Sequence, residues 1–339
     1  MKPEHVGVII CNVTVWQISA GANQRDYHRY FLDHGLAFVG WDKQEKLHNL
    51  QPGDILALKR GLKEIIAVGK VVIVDGNHLG NGDKVWLNDF DGWNLNCYVH
   101  VAWRRLNKPL NPKGLTMGTV KRVNNAELRD QILTAYEAGI SVESLSQEPE
   151  ETKEVSDEEI ISALVNEGLS PLQAEDLVAA FGRIRRLAHF YRSHHWGDVG
   201  EHEARTFLVV PLMLALGWSE QRMKIELGVR GEGRIDLACF EYPYHMVERR
   251  KCRLLIETKG FTQGLTFAPD QALRYAEHFP ERPFLVVTNG YCYRLYQPSE
   301  NGYSQHPTAY MNLLDPRDRF PIDPESTAGC LEVLKALLP

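Results

Sequence analysis

Two short stretches, Arg234-Ile-Asp-Leu-Ala-Cys-Phe240 and Arg253-Leu-Leu-Ile-Glu-Thr-Lys259, decide how the second half of this 339-residue chain folds. Both are short, mostly apolar runs, which is typical of buried β-strands. Each carries an acidic residue among its apolar neighbours, Asp236 in the first and Glu257 in the second. Residues i and i+2 of a strand point to the same side, so Glu257 and Lys259 are predicted to face one site together.

The elements around these two strands predict a sandwich of helices on a sheet. Ser156-Asp-Glu-Glu159 has the pattern of a capping box that opens a helix, and Ser170-Pro171 begins a second helix. Helices are also predicted over residues 201–216 and 270–278, and the further strands over residues 223–227, 284–288 and 291–296. This order predicts an α/β domain with a mixed sheet.

The first part of the chain is richer in short strand-like runs. They cover residues 6–15, 37–41, 55–58, 65–74 and 98–103, with a helix predicted over 24–34 and a helical tail over 125–138. A small barrel or curved sheet fits this pattern. Residues 141–155 are acidic, Ser-rich and poor in large apolar side chains, which favours a linker. We therefore predict an α+β chain of two domains, residues 1–140 and 157–339, joined by a linker over 141–156.

Composition bounds the kind of protein. With 44% hydrophobic residues the chain can fill two cores, and its net charge of −6 is concentrated in the linker, where residues 141–159 have one lysine against eight acidic residues. This balance argues against a tight, sequence-blind binder of nucleic acid. Residues 1–14 show no signal-like pattern, and no long apolar run occurs, so we expect no membrane span and a cytoplasmic location. The scattered cysteines favour reduced thiols.

The residue types on the two strands suit phosphoryl chemistry. Two convergent carboxylates, Asp236 and Glu257, with a backbone carbonyl form the oxygen-rich surroundings that Mg²⁺ prefers. A cation in such a site lowers the pKa of a bound water. The ammonium of Lys259 can orient the attacking water and offset charge on the scissile phosphate. Taken alone, an aspartate followed by E-x-K is a weak signal, because charged strand ends are common.

These residues resemble the PD-(D/E)XK superfamily, and more narrowly the nuclease domains of type I restriction motor subunits and of Mrr-like enzymes. In such domains an E-x-x-x-R helix and L-G-W precede the catalytic strands, and here Glu201-His-Glu-Ala-Arg205 and Leu216-Gly-Trp218 match them. The resemblance spans about residues 201–296. Ile235 replaces the usual proline, which removes no chemical group. The resemblance implies a Mg²⁺ or Mn²⁺ site formed by Asp236, Glu257, the Thr258 carbonyl and Glu201, with Glu203 as the rival of Glu201.

Two further features extend this resemblance. Many members have a Q-x-x-x-Y pair on the helix after the lysine strand, matched by Gln271-Ala-Leu-Arg-Tyr275. The i, i+4 spacing puts Gln271 and Tyr275 on one helical side, where Gln271 is expected to assist catalysis and Tyr275 to meet DNA. The loop 228–234 is either a plain hairpin loop or a phosphate-contacting loop that uses Arg230 or Arg234.

The first domain resembles the PUA-like group that includes EVE and YTH-related domains, especially those attached to restriction systems of the McrB type. The matching series includes Trp16-Gln-Ile-Ser-Ala-Gly21, Val39-Gly-Trp-Asp42, Ala67-Val-Gly-Lys-Val71 and Val101-Ala-Trp103. The resemblance implies a pocket that holds a modified base flipped from a duplex between aromatic rings. The pocket residues implied are Trp16, Ser19, Trp41, Asp42 and Trp103. Core packing is the alternative for each tryptophan taken singly.

A base reader joined to a nuclease predicts a modification-dependent restriction endonuclease that cuts DNA carrying modified bases. No Walker-type phosphate-binding sequence occurs, so we expect no ATP requirement, and cutting both strands favours a homodimer. One alternative is a nuclease that acts on modified RNA, because PUA-like domains also bind RNA. Another is a non-catalytic nucleic-acid-binding subunit that keeps the nuclease fold. The sequence leaves open which modification is read.

Overall fold

The two strands that carry Asp236 and Glu257 are neighbours in a mixed sheet, in a computed structural model that describes residues 13–21, 27–39, 41–144, 149–194, 197–229, 231, 233–266 and 269–339. The side chains of residues 41–44 lie outside this description. The chain divides into two units. The first contains Met1–Lys84 and Asn94–Glu148, and the second contains Val85–Trp93 and Pro149–Pro339.

The first unit is built on a curled half-barrel sheet of eight described strands. In chain order these are β1 Val15–Ser19, β2 Leu36–Phe38, β3 Ile55–Arg60, β4 Glu64–Val71, β5 Leu79–Asn81, β6 Cys97–Leu110, β7 Val120–Arg122 and β8 Ile140–Ser141. The main path runs β2-β6-β4-β3-β1-β7, with β5 and β8 both paired to β6. Register shifts in β3 and β4 mark irregularities of the ladder, and bulges of this kind bend strands.

The second unit contains the six described strands of the mixed sheet and a small hairpin. These strands are β9 Met223–Val229, β10 Gly233–Phe240, β11 Cys252–Thr258, β12 Phe284–Thr288, β13 Cys292–Tyr296, β14 Pro298–Ser299, β15 Gly302–Tyr303 and β16 Ala309–Asn312. The sheet order is β16-β13-β12-β11-β10-β9, and β14 pairs with β15. Only the β11–β12 pairing in this described sheet is parallel, because a helix connects those two strands.

Helices complete both units. In chain order they are α1 His28–His34, α2 Val85–Asn88, α3 Ala126–Ala138, α4 Asp157–Asn166, α5 Pro171–His194, α6 Glu201–Ala204, α7 Val210–Ala215, α8 Pro269–Ala276 and α9 Cys330–Leu337. A π-helical segment, Arg205–Val209, joins α6 to α7. The capping box predicted at Ser156 and Glu159 is present. Within the described residues, no helix is long and apolar enough to cross a bilayer.

The observed elements agree with the predicted mixed α+β class, and several bounds differ. The strand predicted over 37–41 ends at Phe38, and a 3-10 helix follows over Trp41–Asn49. Residues 6–12 and 24–26 of two predicted elements lie outside the described residues. Part of the predicted linker packs on the second unit, where Val155 is buried and its N–H donates to the Pro316 carbonyl at 2.9 Å.

Candidate active site

Asp236 and Glu257 lie next to each other at one end of the β10–β11 hairpin. The ladder ends there with the pair Leu237 and Ile256, and the two acids are the next residues on opposite strands. Both are buried, at 7% and 3% exposure. The Thr258 N–H donates to Oδ2 of Asp236 at 2.7 Å, which holds the Asp236 carboxylate over the end of β11.

Lys259 follows β11 directly and turns back to Glu257. Its Nζ donates to Oε1 of Glu257 at 2.6 Å, so the two side chains share one side of the strand as the i, i+2 spacing predicts. The Lys259 backbone N–H donates to the Thr288 carbonyl on β12 at 2.7 Å. Oε2 of Glu257 is buried with no hydrogen-bond partner in the structure, which is costly for a carboxylate oxygen.

Arg205 stands at the centre of a charged network that the sequence did not single out. Its Nη1 donates to Oδ1 of Asp236 at 2.5 Å and its Nη2 to Oε1 of Glu226 at 2.9 Å. Nη2 also lies 2.7 Å from Nδ1 of His202. Arg205 begins the π-helical segment, and such segments occur frequently at functional sites. A short signal existed in the E-x-x-x-R pattern, which places this arginine one turn after Glu201.

Glu226 reaches the network through an unusual backbone conformation. It lies in β9 between two ladder pairs, Ile235 with Leu227 and Leu237 with Ile225, at the level of Asp236. Its φ of 51° is in the left-handed region, which is strained for residues other than glycine. Arg205 and then Arg234 lower its pKa. No local sequence pattern marks such a position, so Glu226 was not predicted.

The two candidate helix acids separate in the structure. Partial desolvation and then the nearby Asp236 carboxylate raise the pKa of Glu201, while Lys259 and Arg205 oppose the shift. Glu201 therefore lies within electrostatic range of the buried cluster, although its side chain is exposed. Glu203 instead acts on Tyr191, whose pKa is raised by burial and then by that carboxylate. This placement favours Glu201 over Glu203 as the helical member of the site.

The pKa of Glu257 is strongly shifted in this site. Burial raises the pKa of Glu257 to about 7, and Lys259 opposes this by charge and by its hydrogen bond. Asp236 and Glu201 raise the pKa further, because a second and third negative charge disfavour ionisation of the first. Three carboxyl groups that repel one another lie around two cations, Arg205 and Lys259.

The donor set fits a hard divalent cation. Carboxylates of Asp236, Glu257 and Glu201 and the Thr258 carbonyl are oxygen donors, and the partnerless Oε2 of Glu257 is free to accept a ligand bond. Within the part of the chain that the structure describes, no group of three or more His, Cys, Asp or Glu side chains is arranged to hold a metal ion. Coordination would therefore also need the backbone carbonyl and water, as Mg²⁺ commonly does.

The structure describes three of the remaining predicted nuclease residues, Gln271, Tyr275 and Arg234. Nε2 of Gln271 donates to the Tyr275 hydroxyl at 2.7 Å, so the pair meets on α8. Tyr275 is buried at 2% exposure, and its hydroxyl lies beside Gly233. Arg234 is exposed and lies 3.4 Å from Oε2 of Glu226. Arg230 lies outside the described residues.

The predicted base-binding residues occupy different kinds of position in the first unit. Trp16 is half-buried on β1, and its Nε1 donates to Oδ2 of Asp54 at 2.9 Å. Ser19 is three residues along the same strand and donates to the Gly21 carbonyl at 2.6 Å. An odd spacing puts two strand residues on opposite faces, so Trp16 and Ser19 do not share a face of β1. The side chains of Trp41 and Asp42 lie outside the description.

Trp103 lies in the core of the first unit. It is 2% exposed, its Nε1 donates to the Leu36 carbonyl at 3.0 Å, and its ring centroid is 6.4 Å from that of Phe31. Gly69 lies against the Trp103 ring, where a Cβ would clash at 2.6 Å. This is the core position that was the alternative for each tryptophan, and a base has no access to this ring in the present conformation.

Comparison with known proteins adds no assignment. No protein-family model matches this sequence, and the search of curated proteins found no match.

Proposed function

We propose that this chain is a Mg²⁺-dependent endonuclease that cuts DNA carrying modified bases. The observation that carries the proposal is the convergence of Asp236, Glu257 and Lys259 at one end of the β10–β11 hairpin, within electrostatic range of Glu201. These residues come from three separate elements, and a solvated strand end would not bury two carboxylates. The mixed sheet on which they lie is compatible with the PD-(D/E)XK resemblance.

The acidic residues and Lys259 have different roles in the proposed phosphodiester hydrolysis. A divalent cation, when bound by Asp236, Glu257, Glu201 and the Thr258 carbonyl, would polarise the phosphate and acidify a water. Lys259 is held by Glu257 at the same place, where its ammonium orients the attacking water and offsets negative charge on the phosphate. Mn²⁺, which also accepts oxygen ligands, is the expected substitute.

Arg205 and Gln271 have supporting tasks in this proposal. Arg205 holds Asp236 and Glu226 in place and, together with Lys259, balances the negative charge of the acidic cluster. Gln271 is exposed, and its side chain donates a hydrogen bond to the Tyr275 hydroxyl. We expect Gln271 to assist at the phosphate while Tyr275 fixes the position of the Gln271 side chain on α8. Arg234, which is exposed, and Arg230 are the proposed contacts to the DNA backbone.

The first unit is the proposed reader of the modified base. Its curled sheet is compatible with the PUA-like resemblance, and half-buried Trp16 leaves part of its ring accessible for stacking on a base. Trp41 and Asp42 remain proposed pocket residues, Ser19 is left out because it lies on the face of β1 opposite Trp16, and buried Trp103 supports the sheet from inside. We further propose that the chain acts in the cytoplasm, without ATP, and as a homodimer when it cuts both strands.

The test is digestion of otherwise identical DNA duplexes whose bases are unmodified, methylated, hydroxymethylated or glucosylated, in Mg²⁺. We expect cutting of one modified substrate, and no cutting by Asp236→Ala. Equal cutting of all duplexes would contradict the reader. Cutting of a modified transcript instead of DNA would favour the RNA alternative.

A second candidate is a non-catalytic nucleic-acid-binding subunit, and one contact favours it. Both oxygens of Asp236 already accept hydrogen bonds, from Arg205 and from the Thr258 N–H. A permanent salt bridge would compete with a metal ion for this carboxylate. Calorimetric titration with Mn²⁺ separates the two functions. An enzyme is expected to bind the ion as the wild type and to lose that binding in the Asp236→Ala variant. A non-catalytic subunit is expected to show no Mn²⁺ binding in the wild type or in the variant.

A further inference from the structure

A segment from the first half of the sequence is built into the second unit. Val85–Trp93 belongs to that unit, although the residues on both sides of it belong to the first. The segment carries two buried carboxylates, Asp89 and Asp91, at 1% and 0% exposure. Buried acids are rare unless paired, so the partners of each one show what the segment does.

Asp91 is bonded to two elements far away in the sequence. Its Oδ2 accepts hydrogen bonds from the backbone N–H groups of Leu265 and Thr266 at 2.6 and 2.9 Å, and from the Thr266 hydroxyl at 2.9 Å. Its Oδ1 lies 3.0 Å from Nη2 of Arg294 on β13. The Arg294 side chain is itself only 6% exposed. The Thr266 hydroxyl also accepts from Nη2 of Arg294 at 3.0 Å, which closes the network.

A second residue of the segment contacts the same loop. Nε1 of Trp93 donates to the Thr262 carbonyl at 3.3 Å. The segment therefore touches the loop 260–266 at Thr262, Leu265 and Thr266. That loop begins directly after Lys259, and it is also tied to the end of β12 by the hydrogen bond from Asn289 Nδ2 to the Gln263 carbonyl at 3.1 Å.

Stability alone is a weak reason for such an arrangement. Replacing a buried ion pair by apolar residues of similar volume is often neutral or stabilising, because removing both charges from water is costly. Directional bonds to two successive N–H groups, by contrast, define where the loop backbone lies. The backbone of Lys259 is one residue before this loop, so the position of the loop bears directly on the position of the Lys259 ammonium.

We propose that Asp91 is a positioning residue that holds the loop 260–266, and through it Lys259, in the geometry that phosphodiester cleavage needs. This inference rests on the proposed function. Asp91 does not touch the reacting atoms, and its effect passes through the loop. The sequence segment 85–93 thereby adds a support for this loop to those that residues 149–339 supply.

The test compares Asp91→Asn with the matched variant Asp89→Asn. Both replace a buried acid of the same segment, but Asp89 bonds to Tyr310 and Gly92 and not to the loop. We expect Asp91→Asn to lower the single-turnover cleavage rate by about 10- to 100-fold with little change in the Kd for DNA, since misplacement of a catalytic group has effects of this size. Asp89→Asn is expected to leave both unchanged.

Hydrogen exchange of the metal-free protein gives a readout that does not depend on activity. Asp91→Asn is expected to speed amide exchange by about tenfold or more over residues 259–266, which corresponds to loss of local stability. Asp89→Asn should leave this exchange unchanged. Thr266→Val removes only one hydroxyl of the network, so it is expected to fold normally and to shift both readouts in the same direction by a smaller factor.

The outcomes are distinguishable. If the wild-type protein cuts no substrate, the proposed nuclease function fails. Independently of activity, an unchanged rate of amide hydrogen exchange at Lys259 in Asp91→Asn would overturn the positioning role. Equal rate losses in Asp91→Asn and Asp89→Asn would show a general packing effect and would also overturn it. If Asp91→Asn does not fold, the Thr266→Val variant tests the proposal instead. A cleavage rate and an amide exchange rate equal to those of the wild type in Thr266→Val would contradict it.

Discussion

Arg205 and Asp236 form a buried ion pair in which Nη1 donates to Oδ1 at 2.5 Å, with side-chain exposures of 7% and 10%. The pair joins the π-helical segment to the strand that carries the candidate metal ligand. It places a guanidinium against the Asp236 carboxylate, in the region where Glu257 and Glu201 add further negative charge.

Replacing Arg205 by Met should destabilise the protein strongly. The change leaves the Asp236 charge buried without its cation, which typically costs about 3 to 5 kcal/mol. Urea unfolding of the metal-free protein at neutral pH measures the change in free energy of unfolding. Arg234→Met is the control, because water and salt screen exposed pairs such as Arg234 with Glu226, which therefore contribute little to stability. Similar effects of both variants would contradict the assignment of Arg205 as the central cation.

Glu201 and Glu203 should differ in their effect on metal affinity. Glu201 interacts electrostatically with Asp236 and Glu257, whereas Glu203 acts on Tyr191. We expect Glu201→Gln to weaken Mn²⁺ binding by about 10- to 100-fold, the range seen when groups around a metal are altered. Glu203→Gln should bind like the wild type. Calorimetric titration measures the Mn²⁺ affinity of both variants. A larger loss of affinity in Glu203→Gln than in Glu201→Gln would make Glu203 the helical ligand.

Asp89 should make the stability fall between about pH 4 and pH 6. Burial raises its pKa from 3.8 to about 6, while hydrogen bonds from Tyr310 and Gly92 oppose the shift. A raised acid pKa means that the folded state holds the proton more tightly, so this stabilisation is complete below pH 3.8 and lost as the pH rises through 6. The loss amounts to about 3 kcal/mol at most.

Asp89→Asn removes this titrating group and checks the prediction. Chemical unfolding at a series of pH values should show a smaller fall in stability between pH 4 and pH 6 in the variant than in the wild type. Identical pH profiles would mean that Asp89 titrates normally in the folded protein.

Truncation of two tryptophans in the first unit should affect different properties, stability for Trp103 and DNA binding for Trp16. Trp103→Ala empties a core position and should lower the free energy of unfolding by about 3 to 5 kcal/mol. Trp16→Ala should instead weaken binding of the modified duplex by about tenfold, since stacking on one base contributes about 1 to 3 kcal/mol. Fluorescence anisotropy with labelled DNA measures the second effect. Unchanged DNA affinity in Trp16→Ala would remove this residue from the proposed pocket.

Local pattern predicted the strands of the candidate site because each is a short apolar run. β10, β11, β12 and β13 lie close to their expected bounds, and the i, i+2 relation of Glu257 and Lys259 follows from strand geometry. The E-x-x-x-R pattern contains Arg205 but does not indicate its role, because its partners, Asp236 and Glu226, lie 31 and 21 residues away.

Long-range placement is where the sequence was uninformative. The segment Val85–Trp93 falls within residues 1–140, the predicted first domain, yet Asp91 bonds to residues 174 and 175 positions later in the second unit. Burial of a charged residue depends on a partner that no local pattern reveals. The strand β16 and the helix α9 were not predicted, since they complete the sheet and core of the second unit only in three dimensions.

The most direct test of the nuclease site is single-turnover cleavage of modified DNA in Mg²⁺ by wild type, Lys259→Ala and Lys251→Ala. Lys251 is the matched control, an exposed lysine that pairs with Glu241 at 3.0 Å outside the cluster. The account predicts that Lys259→Ala reduces the cleavage rate at least about 100-fold, in the range for lost electrostatic stabilisation, while Lys251→Ala cuts like the wild type. Cleavage that persists unchanged in Lys259→Ala would contradict the account.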